Sequence, residues 1–269
     1  MQLGISSYTY TWAAGVPGSL PAKLMSAFDL VDKAVSEGLK LVQIADNLPL
    51  ENWSRSDLGE LYNHACKKDV SIEMGSRGLT PGHAAKCLEA AEILHSPILR
   101  MVIDGPGFEP DLETVISIIG KLVPELKLRK IQLAIENHDR FKAREFEKII
   151  RSSNSKWVGI CLDSVNSMGA GEGFESVSEI LLPYTINLHL KDFSIRRVSH
   201  KMGLVIEGRP AGQGMLKIKE IIGQLSVLNR CKSAILELWT PPEPDIEATI
   251  KKEETWAHES IKFLKTVLN

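Results

Sequence analysis

The sequence predicts a single (β/α)8 TIM barrel, and three observations point to that fold class. Eight short runs rich in Ile, Leu and Val recur with helical spacing between them, as a parallel sheet covered on both faces requires. The chain has 269 residues, close to the roughly 250 of a typical barrel of this kind. Four consecutive later runs carry an acidic or imidazole side chain at or near their carboxyl ends, where such barrels build their sites. One domain over 1–269 is the expectation.

The predicted strands are Gln2–Ser7, Leu41–Ala45, Val70–Gly75, Ile98–Ile103, Ile131–Glu136, Val158–Asp163, Thr185–Leu190 and Ser233–Leu238. Helical faces lie between them. One runs through Leu24, Phe28, Val31 and Val35, another through Leu112, Val115, Ile119 and Leu122, a third through Ile218, Ile221, Leu225 and Leu228. Trp256, Phe263 and Val267 mark the face of a last helix. An open doubly wound sheet is the alternative, but the first strand-helix turn lacks the G-x-G-x-x-G of its dinucleotide-binding form. After the seventh strand, KDFSIRRVSHKMGLVIEGRPAGQG reads as one long loop up to a helix near Met215. Loops of that length in a compact domain are usually functional or disordered.

Composition is that of an ordinary globular chain, with 43% hydrophobic and 25% charged residues. A net charge of −2, without acidic or basic blocks, argues against nucleic acid as a partner. Cys66, Cys87, Cys161 and Cys231 form no C-x-x-C pair, so neither a redox dithiol nor a zinc ribbon is expected. No apolar run approaches the ~20 residues of a membrane span, and MQLGISSYTYTW has no signal-peptide pattern. Cytoplasmic placement is the default expectation, and a homo-oligomer is left open.

Strand parity gives the sharpest signal, because side chains alternate across a strand. With Glu136 inward, Ala134 and Gln132 follow, leaving Leu133 and Ile135 to the helices. Asp163 brings Cys161 and Gly159 inward, His189 brings Asn187, and Glu237 brings Ile235. In each strand the more apolar parity faces outward. A lone acidic residue at a strand end is usually a loop contact or cap, and a lone His in an apolar strand is usually a core histidine. Four on consecutive strands with one parity predict a common centre. Three carboxylates gathered there would repel one another, whereas three oxygens and one nitrogen suit one divalent ion: Mn²⁺, Mg²⁺, Co²⁺ or Zn²⁺.

The stretches AIENHDRF, ICLDSVN, NLHLKDF and ILELW resemble the xylose-isomerase-like sugar isomerase/epimerase superfamily. The resemblance covers nearly the whole chain. It implies a TIM barrel, a small carbohydrate substrate and a divalent metal, most often Mn²⁺, on Glu136, Asp163, His189 and Glu237. It also implies that Glu136 and Glu237 carry protons through a metal-stabilised enediolate in an isomerase or epimerase acting on a keto or oxo sugar. Two positions depart from the ketose 3-epimerase branch: Lys142 stands where a Glu is expected and Asn166 where a His is expected, both being substrate-contact positions. The same core serves dehydratases and decarboxylases of oxo sugar acids, so a lyase is the alternative. A metal-cluster DNA-repair nuclease would need more histidines than the seven present, and a charged, metal-competent pocket argues against a non-catalytic sugar-binding barrel.

Secondary candidates follow. Lys191 shares the parity of His189 and could stabilise the enediolate; a salt bridge is the plainer use. His138 could relay a proton, and Tyr8, with Tyr10 and Trp12, could wall the pocket. Arg197, with Arg196 as its rival and Arg209 further along, is the expected substrate clamp in the long loop. Gln43 and Glu73 lie near strand ends and carry less weight.

Overall fold

The computed structural model describes residues 1–268. Its strands are β1 (Gln2–Ser6), β2 (Leu41–Ile44), β3 (Ser71–Arg77), β4 (Ile98–Val102), β5 (Gln132–Glu136), β6 (Val158–Asp163), β7 (Thr185–Leu190), β8 (Asp192–Arg197), β9 (Leu204–Arg209) and β10 (Ser233–Leu236). Eight of them close a parallel barrel in the order β1-β10-β7-β6-β5-β4-β3-β2. The helices are α1 (Thr11–Ala14), α2 (Ala27–Ser36), α3 (Arg55–Lys67), α4 (Pro81–Ile93), α5 (Leu112–Arg129), α6 (Ala143–Ser153), α7 (Phe174–Leu181), α8 (Ile218–Leu228) and α9 (Ile246–Leu268). Among the described residues no helix is long and apolar enough to cross a membrane.

Helix starts follow capping chemistry. The side chains of Ser26, Ser54, Thr80 and Asp111 each accept a hydrogen bond from a first-turn backbone N–H, opening α2 to α5. This corrects one predicted face. Ser26 and Asp29 close a capping box, so Leu24 lies ahead of α2 and is exposed, as is Val35; Ala27, Leu30, Val31 and Ala34 form the buried stripe. In α9 the buried stripe likewise runs through Thr249, Glu253, Ala257, Ser260, Ile261 and Leu264, with Trp256, Phe263 and Val267 flanking it.

Two cores separate as the strand parity requires. Leu133, Ile135, Ile160, Leu162, Leu188, Leu190, Leu236 and Leu238 join the large outer core beneath the helices. Ile98, Ala134, Cys161 and Ile186 form a small cluster of their own inside the barrel. A register shift between β6 and β7 at Ile160/Cys161 lets Ile186 turn inward, and a Cβ on Gly159 would lie 2.7 Å from its Cγ2. Past the shift, Glu136 pairs with Cys161 and Cys161 with Asn187, while Asp163 pairs with His189 two residues further along, so the side chains of Glu136, Asp163 and His189 stand on adjacent inward-facing positions of neighbouring strands.

The segment after β7 is not one loop. β8 and β9 form an antiparallel hairpin, with Ile195 opposite Ile206 and Arg196 opposite Val205. β-branched residues on both arms and the Arg196–Glu207 ion pair support it. Asp192 anchors the return: its carboxylate accepts backbone N–H bonds from Phe193, Gly212, Gly214 and Leu216 at 2.9–3.0 Å.

Candidate metal centre

Glu136 ends β5, Asp163 ends β6, His189 lies one residue from the end of β7, and Glu237 follows β10 directly. All four are at most 1% exposed. His189 Nδ1 lies 3.3 Å from Glu237 Oε1, 3.6 Å from Glu136 Oε2 and 3.9 Å from Asp163 Oδ2. All four atoms are buried: Glu136 Oε2 and Asp163 Oδ2 meet the cationic side chains of Arg100 and Lys191, while His189 Nδ1 and Glu237 Oε1 have no hydrogen-bond partner. Leaving such an atom unsatisfied is costly, and three carboxylates and an imidazole facing one point suit a divalent cation.

Each side chain is aimed by contacts on its far side. His189 Nε2 lies 2.7 Å from Gln43 Oε1. An amide oxygen only accepts, so the proton sits on Nε2 and the Nδ1 lone pair faces the carboxylates. Gln43 is fixed in turn by donating to Glu73 and Asn187, both at 3.1 Å. Asp163 Oδ1 accepts from the backbone N–H groups of Val165 and Asn166 at 2.8 Å, which frees Oδ2 for the centre. Asn137 Oδ1 clamps the Asp163 backbone N–H at 2.7 Å. Asn166 Nδ2 donates to Glu136 Oε1 at 2.7 Å, leaving Oε2 inward.

Two fixed cations share the centre. Lys191 Nζ is 2.9 Å from Asp163 Oδ2 and 3.0 Å from Glu237 Oε2. The guanidinium Nε of Arg100 contacts Glu136 Oε2, and its Nη1 lies 3.1 Å from Asp46 Oδ1. A Cβ on Gly75 would come within 3.3 Å of Arg100 Cδ, so a glycine there leaves room for the arginine stem.

Titration follows the environment. Burial pulls His189 down to about 4, so the imidazole is neutral and able to ligate. Burial pushes Glu136 up to about 8 against the pull of Arg100. Burial also opposes ionisation of Glu237, but His189, Lys191 and Arg100 overcome it and hold the group low, at about 2. Burial alone would lower Lys191; Asp163 and Glu237 instead raise it above its ordinary value and keep it charged. A second group of potential ligands, Glu136, Cys161 and His189, shares the imidazole. Burial raises the Cys161 thiol well above its ordinary value, and it donates to Asn187 Oδ1 at 3.0 Å. A neutral thiol is a poor ligand, so the group Asp163, His189 and Glu237, with Glu136 beside it, is the better donor set. These residues fit a hard or borderline divalent ion.

The centre opens into a cleft of two parts. An inner compartment of about 130 Å³ is lined by Arg77, Arg100, Glu136, His138, Lys191 and Glu237, among others. An outer one of about 570 Å³ is lined by Trp12, Val165, Met168, Leu238, Trp239 and Thr240, among others. Tyr8, Asn166 and Lys191 line both. The Tyr8 hydroxyl donates to Asp46 Oδ2 at 3.0 Å. His138 Nδ1 sits 3.1 Å from Asp139 Oδ2, and burial lowers its imidazole. Arg196 and Arg197 line neither compartment: Arg196 pairs with Glu207, and Arg197 donates to the Lys201 carbonyl oxygen at 3.2 Å.

Sequence reasoning passed over Arg100, Arg77 and Asp46. The signal for Arg100 was available: a lone charge inside ILRMV is costly in a covered strand unless it is paired within the barrel.

A family model described as a xylose isomerase-like TIM barrel matches residues 82–267. The 3-oxo-isoapionate decarboxylase of Pectobacterium atrosepticum is 27% identical over 268 residues, covering 99% of this chain and 96% of that protein. The fold is similar to that of D-psicose 3-epimerase from Clostridium cellulolyticum H10, crystallised with D-tagatose (TM-score 0.76, 14% identity, 100% of both chains). It is also similar to that of a xylose isomerase-like TIM barrel protein from Mycobacterium smegmatis in complex with magnesium (TM-score 0.71, 14% identity, 100% of this chain and 98% of that one). The match over most of the chain, on a closed barrel with its polar centre at the strand ends, makes this protein a member of the xylose isomerase-like TIM barrel family.

Proposed function

We propose that this protein is a divalent-metal-dependent lyase that decarboxylates a 3-oxo sugar acid. The observation that carries the reading is the pairing of both would-be proton carriers with fixed cations: Glu136 with Arg100 and Glu237 with Lys191. Epimerisation needs two bases that take up and return a proton on opposite faces of a carbon. A carboxylate whose oxygen is held by an ammonium group, as Glu237 Oε2 is at 3.0 Å by Lys191, does that poorly. Decarboxylation needs no such base. It needs positive charge near the oxo oxygen and one proton afterwards. The full-length similarity to a decarboxylase supports the same choice.

The step balances simply. The bond from the carboxylate carbon to C2 breaks, its electron pair forms the C2–C3 double bond, and the C3 carbonyl electrons move onto oxygen as carbon dioxide leaves. One proton then adds at C2 and the carbonyl re-forms. An ion held by Glu136, Asp163, His189 and Glu237 would supply Lewis-acid polarisation of the oxo group. Lys191, charged and facing the inner compartment, offsets negative charge on the substrate oxygen. His138, on the same wall, relays the proton. Tyr8 and Asn166 line the passage between the compartments and contact the sugar chain. Mn²⁺ is the proposed ion.

The test uses 3-oxo sugar acids labelled with ¹³C in the carboxyl group, with Mn²⁺-loaded protein in deuterated water. One labelled carbon dioxide per substrate consumed, and one deuterium per product, is expected. A product of unchanged mass apart from exchanged deuterium would overturn the lyase reading in favour of an epimerase.

A further inference from the structure

Arg77 closes β3 and shares the inward parity of Glu73 and Gly75. It lines the inner compartment together with Arg100 and Lys191. Those two are committed: Arg100 to Glu136 and Asp46, Lys191 to Asp163 and Glu237. Arg77 is not. Its nearest carboxylate oxygen is Asp46 Oδ2, at 4.0 Å from Nε. That carboxylate already accepts the Tyr8 hydroxyl at 3.0 Å and Arg100 Nη1 at 3.1 Å. Among the described residues, Arg77 Nε is buried with no hydrogen-bond partner, while the side chain as a whole stays 40% exposed. A buried charged donor left unmade is costly, and a planar fork matches a carboxylate better than a hydroxyl.

We propose that Arg77 is the specificity residue of this cleft: its guanidinium anchors the carboxylate of the acid substrate and separates sugar acids from neutral sugars. The assignment rests on the oxo-acid reading above and adds to it the residue that recognises the acid. The forked contact holds the charged carboxylate in the ground state and weakens as that group departs as neutral carbon dioxide. Its loss therefore raises KM and leaves kcat equal or higher.

Binding is measured by calorimetry on Mn²⁺-loaded protein with two unreactive probes: an aldonate, which has the carboxylate but no oxo group, and the alditol of equal length. The parent should prefer the aldonate. Arg77→Met should weaken aldonate binding at least ~30-fold, as expected for a charged hydrogen bond, and leave alditol and Mn²⁺ binding as in the parent. Arg77→Lys, which keeps the charge but not the fork, should fall between. Equal affinity of parent and Arg77→Met for the aldonate, no aldonate binding by the parent, or a matching loss for the alditol or Mn²⁺, would each overturn the assignment. The two readings fail separately. An Arg77-dependent preference for aldonate with no carbon dioxide from any oxo acid sinks the reaction and keeps the anchor. Decarboxylation with KM indifferent to Arg77 does the reverse.

Discussion

At the scale of single residues, the centre depends on which nitrogen of His189 carries the proton, and Gln43 decides that. Its amide oxygen accepts from Nε2 at 2.7 Å and leaves Nδ1 open toward the three carboxylates. Outer partners of this kind typically matter 10–100-fold in metal affinity. Gln43→Met should therefore weaken Mn²⁺ binding by ~10–100-fold in competition with a chelator, while the far-ultraviolet spectrum of the barrel is kept; unchanged affinity would mean that Gln43 does not orient the imidazole. Glu136, Asp163, His189 and Glu237 could be singled out in the sequence because each breaks an apolar alternation at a strand end. Gln43 could be given little weight, since a neutral amide in LVQI breaks no rule. Its role is a contact across 146 positions of chain to His189. Arg100 was masked differently, by an apolar strand that hides one charge until the ion pairs around it are seen.

At the scale of elements, the hairpin β8–β9 shows how a local pattern can be outvoted. Its glycines and arginines read as loop, whereas alternation of Ile195 with Arg196 and of Ile206 with Glu207 makes a two-stranded ribbon. That ribbon turns Arg196 to Glu207. α9 contributes a second element-level device. Its buried Glu253 accepts from the backbone N–H groups of Trp12 and Ala13 at 3.1 and 3.2 Å, fixing the turn that carries the Trp12 wall of the cleft. Burial pushes Glu253 up to about 7 from its ordinary 4.5. The folded protein thus holds this proton more tightly than the unfolded chain. The resulting stability is fully present below about pH 4.5 and is lost as pH rises through about 7. Relative to Glu253→Gln, the parent should lose roughly 2–3 kcal/mol between those limits, measured by urea unfolding at each pH. Parallel profiles for the two proteins would show that the carboxyl titrates as in the unfolded chain.

At the scale of the whole molecule, the barrel was legible because its physics is repetitive. Eight covered strands demand eight apolar runs, and the outward residues of β5, β6, β7 and β10 do join the outer core. The chemistry was less legible. Proteins of this fold include an epimerase and a magnesium-bound protein, while a curated relative matched over nearly its full length is a decarboxylase. A shared cluster of polar strand ends therefore leaves the reaction to the lining around it, and part of that lining comes from elsewhere: Asp46 just after β2, Arg77 at the end of β3 and Arg100 in the middle of β4. The claim beneath every other one is that these strand ends hold one divalent ion. The direct measurement is a crystal grown with Mn²⁺ and examined by anomalous diffraction at the manganese edge. One peak enclosed by Glu136, Asp163, His189 and Glu237, lost in His189→Ala, is the expected result. A map with no peak there, or with manganese bound only elsewhere, would contradict the account.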